Sequence, residues 1–221
     1  MNEAATLAAA ASLSQLFFQH GRARLSFEVP RGLNDASVTP SRGDHDLDPV
    51  LSAISEVRPI RPAAVLVPVV DRSEPTILLT QRTADLPDHA GQIAFPGGKI
   101  DQADESPLAA ALREAEEEIG LDPDFVEPIG YLDLYMTTLG YRIVPTLARV
   151  RPDFSLHLNR GEVADAFEVP LSFLMEAANH QRHTREWKGM TRTFYAIPFG
   201  ERYIWGVTAG ILRNLYERIY L

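Results

Sequence analysis

The sequence predicts an α/β fold in which a mixed β-sheet is flanked by helices. Two observations predict it: β-rich apolar runs come in neighbouring pairs, and helical segments lie between and after those pairs. Paired runs form hairpins, which fit a mixed sheet better than a strictly alternating parallel one. The length of 221 residues, with 45% hydrophobic and 23% charged residues, suits one large domain or one domain with an extension.

The composition excludes several classes of protein. A formal net charge of −9 argues against a protein that binds along the nucleic-acid backbone, because such a protein needs a basic surface. The absence of cysteine excludes disulfide scaffolds, thiolate zinc sites and cysteine nucleophiles. No apolar run reaches the ~18 residues of a membrane span, and the acidic N-terminus is unlike a signal peptide. These features predict a cytoplasmic protein with neither a nucleic-acid nor a membrane partner.

The first 60 residues are predicted to form a helix followed by loops. Residues 1–20 are rich in Ala and Leu and are interpreted as an amphipathic helix docked on the body. A membrane or partner helix is disfavoured because the polar face lacks Lys and Arg. Residues 32–48 are rich in Asp, Ser, Pro and Gly and predict a loop or linker, and residues 49–56 a short helix. We therefore expect a helical extension at residues 1–30 and the main domain at residues 31–221.

The elements of the main domain follow from runs of β-forming residues and from helical spacing. Residues 71–75 are interpreted as a hairpin turn between the first two strands. Apolar residues at helical spacing near the C-terminus predict a closing helix over residues 209–220. The predicted strands cover residues 63–70, 76–80, 93–95, 125–139, 141–150, 162–169 and 192–198.

A helix over residues 107–119 carries the most informative pattern. Ser106 is a good N-cap, Pro107 suits the first helical position, and Gly120 predicts the end of the helix. One face, predicted to meet the core, holds Leu108, Leu112, Ala115 and Ile119. Roughly the opposite side holds three carboxylates at i, i+3 and i+4 spacing: Glu114, Glu117 and Glu118.

These three glutamates allow two interpretations. One is a solvated acidic face, since Glu is a good helix former, although only Arg113 in this stretch offsets the repulsion. Alternatively, a hard divalent cation holds them together, because oxygen ligands suit Mg²⁺ or Mn²⁺. Gly97 and Gly98, which follow a predicted strand, favour the second interpretation because glycine lets the backbone approach the helix closely.

Residues 98–121 resemble the Nudix box, G-x5-E-x7-R-E-U-x-E-E-x-G-U, where U is aliphatic. Residues 113–121 (REAEEEIGL) match its second half, with Ala115 at the first U position. The first half is one residue longer, so counting from Gly98 gives Asp104 as the first acidic residue, whereas counting back from Arg113 gives Glu105. The resemblance implies an α/β/α sandwich, metal ligands at Glu114, Glu117 and Glu118, and a role for Arg113 in orienting the glutamates.

The segment just upstream resembles the signature of the coenzyme A pyrophosphatase branch, L-L-T-x-R-[SA]-x3-R-x3-G-x3-F-P-G-G. Residues 78–98 match it at Leu78, Leu79, Thr80, Arg82, Gly91 and Phe95–Gly98. Thr83 replaces the Ser or Ala, and Pro87 replaces the second Arg. The longer box, with Asp104 ahead of Glu105, also resembles that branch. The likeness implies that the substrate-binding residues are Arg82, Gly97, Gly98 and Lys99.

Three residues outside the box keep two interpretations each. Arg82 could bind phosphate or form a surface ion pair with Asp85 or Asp88. His89 could act on a phosphate or cap a loop, and the loop cap is favoured. Residues 161–171 resemble the same branch, which makes Glu162 a candidate for assisting metal binding or activating water. It could equally be an exposed edge-strand residue.

The resemblance implies an enzyme that cleaves the diphosphate bond of coenzyme A or a CoA derivative. The products would be 3′,5′-ADP and 4′-phosphopantetheine or its acyl form, with Mg²⁺ or Mn²⁺ as cofactor. The partner would be this small molecule, and the chain would act as a monomer or homodimer. The alternatives are hydrolysis of another nucleoside diphosphate derivative, such as ADP-ribose, and a non-catalytic nucleotide-binding module.

Overall fold

The computed structural model describes residues 3–48, 51, 58–85, 89–187 and 189–221. The order of strands along its central mixed sheet is β1-β7-β8-β2-β3-β4, and β5, β6 and β9 pair with β2, β8 and β3. Strands β2 and β8 run parallel along their whole length at the centre of this sheet. The strands are β1 (Arg42–Gly43), β2 (Arg61–Val70), β3 (Thr76–Arg82), β4 (Ile93–Ala94), β5 (Gly97–Lys99), β6 (Val126–Tyr131), β7 (Tyr135–Met136), β8 (Tyr141–Val150) and β9 (Val163–Pro170).

Helices cover both faces of this sheet, so the predicted α/β/α sandwich is confirmed. Strand β2 alternates its side chains: Ala64 and Leu66 meet one helix layer, and Val67 and Val69 meet the other. The first layer is α2 (Pro107–Ile119). The second is formed by α1 (Glu3–Arg24) and α4 (Val207–Tyr220). A single turn, α3 (Leu171–Leu174), follows β9.

The face of α2 that meets the sheet is the predicted one in part: Ala115 and Ile119 are buried as expected, but the two leucines are not. Ala110, Ala111 and Ala115 are buried, whereas Leu108 and Leu112 are half-buried at the flanks. Small alanine side chains let the helix lie close to the strands, and the longer leucines pack beside that contact. Glu118 lies seven residues after Ala111, on the same side of the helix, and is buried as well.

The N-terminal helix packs on the body, as the amphipathic interpretation predicts. Phe17 and Phe18 are buried in the core beside the closing helix and the sheet. Gly21 allows this approach, because a Cβ there would meet Ile129 and Leu147 at 3.1 and 3.2 Å. In the described part of the chain, no helix is long and apolar enough to cross a membrane.

The predicted linker at residues 32–48 is wrong in part, because its second half belongs to the body. Strand β1 pairs in parallel with β7, placing Gly43 against Met136. Arg42 forms an ion pair with Glu217 near the end of α4. Asp44 accepts hydrogen bonds from the Thr138 N–H at 2.8 Å and the hydroxyl of a β7 tyrosine. These contacts are long-range, and loop composition does not reveal them. The helix predicted at residues 49–56 lies, except for Leu51, outside the described residues.

A small antiparallel sheet was predicted only in its middle strand. It consists of β10 (Gln181–Trp187), β11 (Met190–Phe199) and β12 (Arg202–Trp205), in that order. The sequence of β10, QRHTREW, carries no apolar alternation that would mark a strand. This sheet turns the chain back so that Gly206, at φ +63°, directs α4 onto the core.

Candidate active site

A cavity of about 770 Å³ lies beside helix α2 and the Gly-Gly strand β5. Its wall also includes the end of β3, the residue before β9, the segment around Asp44 and the small sheet. The structure therefore brings most of the predicted site residues to one end of this cavity: Arg82, Gly97, Gly98, Lys99, Glu114, Glu118 and Glu162.

Strand β5 runs directly against two of the glutamates. A Cβ on Gly98 would stand 2.6 Å from the carboxyl carbon of Glu114. A Cβ on Gly97 would strike the backbone oxygen of Ala64, and the φ of Gly97 is +148°. The Gly97 N–H donates a hydrogen bond of 3.1 Å to Oε2 of Glu118. Glycine at both positions is therefore required for the strand to lie this close to the carboxylates.

Glu118 is the most deeply buried of the glutamates, with 5% of its surface exposed. Burial, together with the nearby charges of Glu114 and Glu162, raises its pKa to about 7, against the opposing effects of the Gly97 N–H and Arg82. Burial also raises the pKa of Glu114. The cavity end thus holds carboxylates that are withdrawn from water and only partly balanced by positive charge.

Arg113 organises the carboxylates from the outer side of the helix. Its Nε and Nη2 each donate to Asp104, at 3.0 Å. Its Nη1 donates to Glu114 at 3.1 Å and to Glu117 at 3.0 Å. The paired bonds to Asp104 lower the pKa of that carboxyl. The orienting role implied for Arg113 has this fork as its geometric basis.

The same contacts distinguish the two candidates for the first acidic position. The Asp104 side chain is 7% exposed and also accepts a hydrogen bond of 2.8 Å from the Asp101 N–H. Glu105 is exposed to solvent. Asp104 is therefore the residue that ties the loop before α2 to Arg113.

Glu117 lies outside the described cavity wall. Its side chain is 58% exposed and pairs with Arg113, four residues earlier. Such exposed pairs contribute only about 0.3–0.5 kcal/mol, so the Glu117 carboxylate is held weakly. Within the described residues, no three acidic or histidine side chains converge as a preformed metal cluster.

Two further charged side chains reach the cavity from neighbouring strand ends. The β3–β9 pairing shifts register between Gln81 and Arg82, which redirects the Arg82 side chain. Its Nη1 stands 3.9 Å from Oε1 of Glu118, and its buried Nε has no hydrogen-bond partner among the described residues. Glu162 is exposed at the cavity edge, and its carbonyl accepts a hydrogen bond from the Thr83 N–H at 2.9 Å.

His89 and Lys99 lie nearer the opening of the cavity. The ring Nδ1 of His89 stands 3.0 Å from Oε1 of Gln92, in a turn where the φ of His89 is +58°. This contact agrees with the loop-capping interpretation. The Lys99 side chain is exposed, and its carbonyl accepts a hydrogen bond from Arg113 at 3.3 Å.

Comparison with known proteins decides the family. The model of the NUDIX domain matches residues 60–188. A Citrobacter koseri protein described as an uncharacterized Nudix hydrolase NudL is 40% identical over 181 residues, covering 78% of this chain and 94% of that protein. The chain belongs to the Nudix family. An Escherichia coli K12 relative of the same description is 39% identical, with the same coverage of both chains. A solved MutT/nudix family protein from Enterococcus faecalis is 17% identical, with a TM-score of 0.46 over 73% of this chain and 62% of that one.

The Nudix residues fit a divalent cation by the chemistry of their donors. Among the described residues, the hydrogen bond to the buried Glu118 carboxylate is on Oε2, and Oε1 faces Arg82 at 3.9 Å, so Oε1 retains unused capacity as an acceptor. The Glu114 carboxylate faces the same space, and both groups have raised pKa values that a nearby cation would lower. Glu114 and Glu118 would hold the ion, and Glu117 and Glu162 lie at the margins of the site.

Sequence reasoning missed the other end of the Nudix cavity. Its wall there includes Asp44, Arg192, Phe194 and Trp205. Burial raises the pKa of Asp44, against its hydrogen bonds from Thr138. A single sequence does not show that these residues come together, because they belong to distant segments. The one local signal is the aromatic character of the Phe194–Trp205 region, which is typical of a binding surface.

Proposed function

We propose that this Nudix protein hydrolyses the diphosphate bond of coenzyme A or of a CoA derivative. The products are 3′,5′-ADP and 4′-phosphopantetheine or its acyl form. One observation carries the proposal: Arg82, the cation of the CoA-branch signature, lies in the same cavity as the Nudix glutamates, 3.9 Å from Glu118. A chain of net charge −9 needs such a local cation to receive a polyanionic substrate.

The catalytic end is assigned roles residue by residue. Glu114 and Glu118 hold Mg²⁺ or Mn²⁺, with Glu117 as the third ligand. When bound, the cation neutralises the diphosphate charge and lowers the pKa of a metal-coordinated water. Arg113 keeps Glu114 and Glu117 in place through its hydrogen bonds of 3.1 and 3.0 Å.

Substrate binding and proton removal fall to the cavity rim. The Nη groups of Arg82 donate to phosphate oxygens, and the exposed Lys99 adds a second cation. The Gly97–Gly98 backbone lets the diphosphate approach the glutamates, since neither residue has a side chain in the way. Glu162, exposed at the edge, accepts the proton of the attacking water.

The test compares substrates and Arg82 variants. We expect kcat/KM to be highest for CoA, lower for 3′-dephospho-CoA and lowest for ADP-ribose, with Mg²⁺ or Mn²⁺ present. Arg82→Ala removes charge-assisted bonds worth about 1.5–3 kcal/mol, which lowers kcat/KM for CoA by roughly ten- to a hundredfold. Arg82→Lys restores only part of this loss, because an ammonium lacks the planar fork.

Arg185→Ala is the matched control, since Arg185 is exposed on β10 and lies outside the described cavity wall. It removes the same charge and should leave kcat/KM within twofold of the wild-type value. Equal kcat/KM for ADP-ribose and CoA would transfer the assignment to another nucleoside diphosphate derivative. Absence of turnover on every substrate would favour a nucleotide-binding module instead.

A further inference from the structure

The cavity wall holds two chemically different groups of residues. One is the charged group with Glu114 and Glu118, which belongs to the segment matched by the Nudix model, residues 60–188. The other, which we call the far arm, is formed by Asp44, Thr138, Arg192, Phe194 and Trp205. All of the far arm except Thr138 lies outside the matched segment. A volume of about 770 Å³ exceeds what a diphosphate fills, so the far arm has room for a further part of the substrate.

The far arm offers aromatic surface held in a fixed position. The rings of Phe194 and Trp205 meet edge to face, with centroids 5.3 Å apart. Tyr203 stacks on Trp205 with ring centroids 6.4 Å apart, and the Gly206 N–H donates to the Tyr195 carbonyl at 3.0 Å. Both cavity-lining rings remain partly exposed. Partly exposed aromatic rings in a concave site favour contact with apolar groups of a ligand.

The polar groups of the far arm suit an uncharged ligand that carries amides. The buried Nε of Arg192 has no hydrogen-bond partner in the described part of the chain, and its Nη1 reaches Thr138 Oγ1 only at 3.4 Å. Asp44 lines the same space with a carboxylate, and Asp46 lies beside it. A phosphate placed there would face these two carboxylates, whereas an amide can accept from Arg192 and donate to Asp44.

We propose that the far arm binds the uncharged, amide-bearing pantetheine chain of the substrate. Arg192 donates to an amide carbonyl, and Phe194 and Trp205 pack against the apolar groups of the chain. The nucleotide half, with its phosphates, then lies towards Arg82 and Lys99. This inference rests on the proposed function and adds to it the residues that bind the pantetheine half of the substrate.

Trp205 allows the arm to be observed without turnover. The chain has two tryptophans, so a Trp187→Phe background leaves Trp205 as the only indole. We expect 4′-phosphopantetheine to change the Trp205 emission in a saturable manner, while 3′,5′-ADP at equal concentration leaves it within error. A saturable change with 3′,5′-ADP alone, or no change with either ligand, would overturn the proposal.

Kinetics of matched variants supply the second measurement. Phe194→Leu and Arg192→Met should each lower kcat/KM for CoA about tenfold, mainly through KM, and change ADP-ribose hydrolysis less than twofold. Phe27→Leu is the control, because Phe27 is a half-exposed phenyl group outside the described cavity wall. Equal losses on both substrates would overturn the arm proposal.

The two proposals fail in different ways. If the protein does not cleave CoA but 4′-phosphopantetheine still changes the Trp205 emission, the hydrolysis assignment falls and the arm proposal stands. If CoA is cleaved and the far-arm variants behave as the Phe27 control does, the arm proposal falls alone.

Discussion

Replacing Glu118 with Gln should remove the loss of stability that the metal-free protein shows as the pH rises. Burial raises the pKa of Glu118 to about 7 in the folded state, from 4.5 for an ordinary glutamate. The folded chain therefore binds more protons than the unfolded chain between about pH 4.5 and 7. By linkage, the free energy of unfolding falls as the pH rises through this window and stays low above it.

The magnitude follows from the width of that window. At about 1.4 kcal/mol for each pH unit, a pKa difference of about 2.5 corresponds to about 3.5 kcal/mol in total, of which about 3 kcal/mol develops above pH 4.5. Gln keeps an oxygen to accept from the Gly97 N–H and does not titrate in this range. The advantage in unfolding free energy of Glu118→Gln over wild type should therefore grow by about 3 kcal/mol between pH 4.5 and pH 8.

The assay is urea unfolding in excess EDTA at several pH values, followed by circular dichroism. Glu116→Gln on the same helix is the control for loss of one negative charge, because the Glu116 side chain is exposed. Water solvates its carboxylate in both states, so its advantage should change by less than about 0.5 kcal/mol over the same range. Parallel curves for wild type and Glu118→Gln would refute the reasoning, since burial would then carry no cost for this carboxylate.

Three further predictions concern the same end of the cavity. Asp104→Asn should lower the free energy of unfolding by about 1.5–3 kcal/mol in thermal or urea melts, whereas Glu105→Gln should change it by less than about 0.5 kcal/mol; equal effects would contradict the assignment of Asp104 to Arg113. Gly97→Ala should destabilise the fold by more than about 2 kcal/mol, because its Cβ meets backbone, while Gly98→Ala should mainly lower kcat, by about tenfold or more, through displacement of a carboxylate. Turnover should stop in excess EDTA and return with Mg²⁺ or Mn²⁺, and full activity in EDTA would rule out the metal role.

The glutamate helix could be predicted from the sequence because its signals are local. The hydroxyl oxygen of Ser106 accepts from the Ala109 N–H at 3.1 Å, and Gly120 ends the helix at φ +67°. Each of these contacts lies within a few residues of its partner, so a pattern reveals it. Helical spacing also brought Glu114 and Glu118 together.

Burial of Glu118 could not be predicted in this way. The same helix places Glu117 in solvent and Glu118 against β5, and only the position of the sheet distinguishes them. The far arm is even harder to predict from the sequence, because Asp44 and Arg192 are far apart in the chain and line the same cavity only after folding. The segment around Asp44 has the composition of a loop, and nothing in that composition indicates that it forms part of the cavity.

The pairing of Arg42 with Glu217 has a consequence for how the protein becomes active during synthesis. The α2 glutamates are translated well before β11, β12 and α4, and the segment around Asp44, although it pairs with β7, gains its ion pair to Glu217 only after α4 is made. A nascent chain therefore carries the carboxylates of the cavity before the later elements complete the cavity wall. The wall of the cavity is complete only when α4 has been made and Glu217 can pair with Arg42.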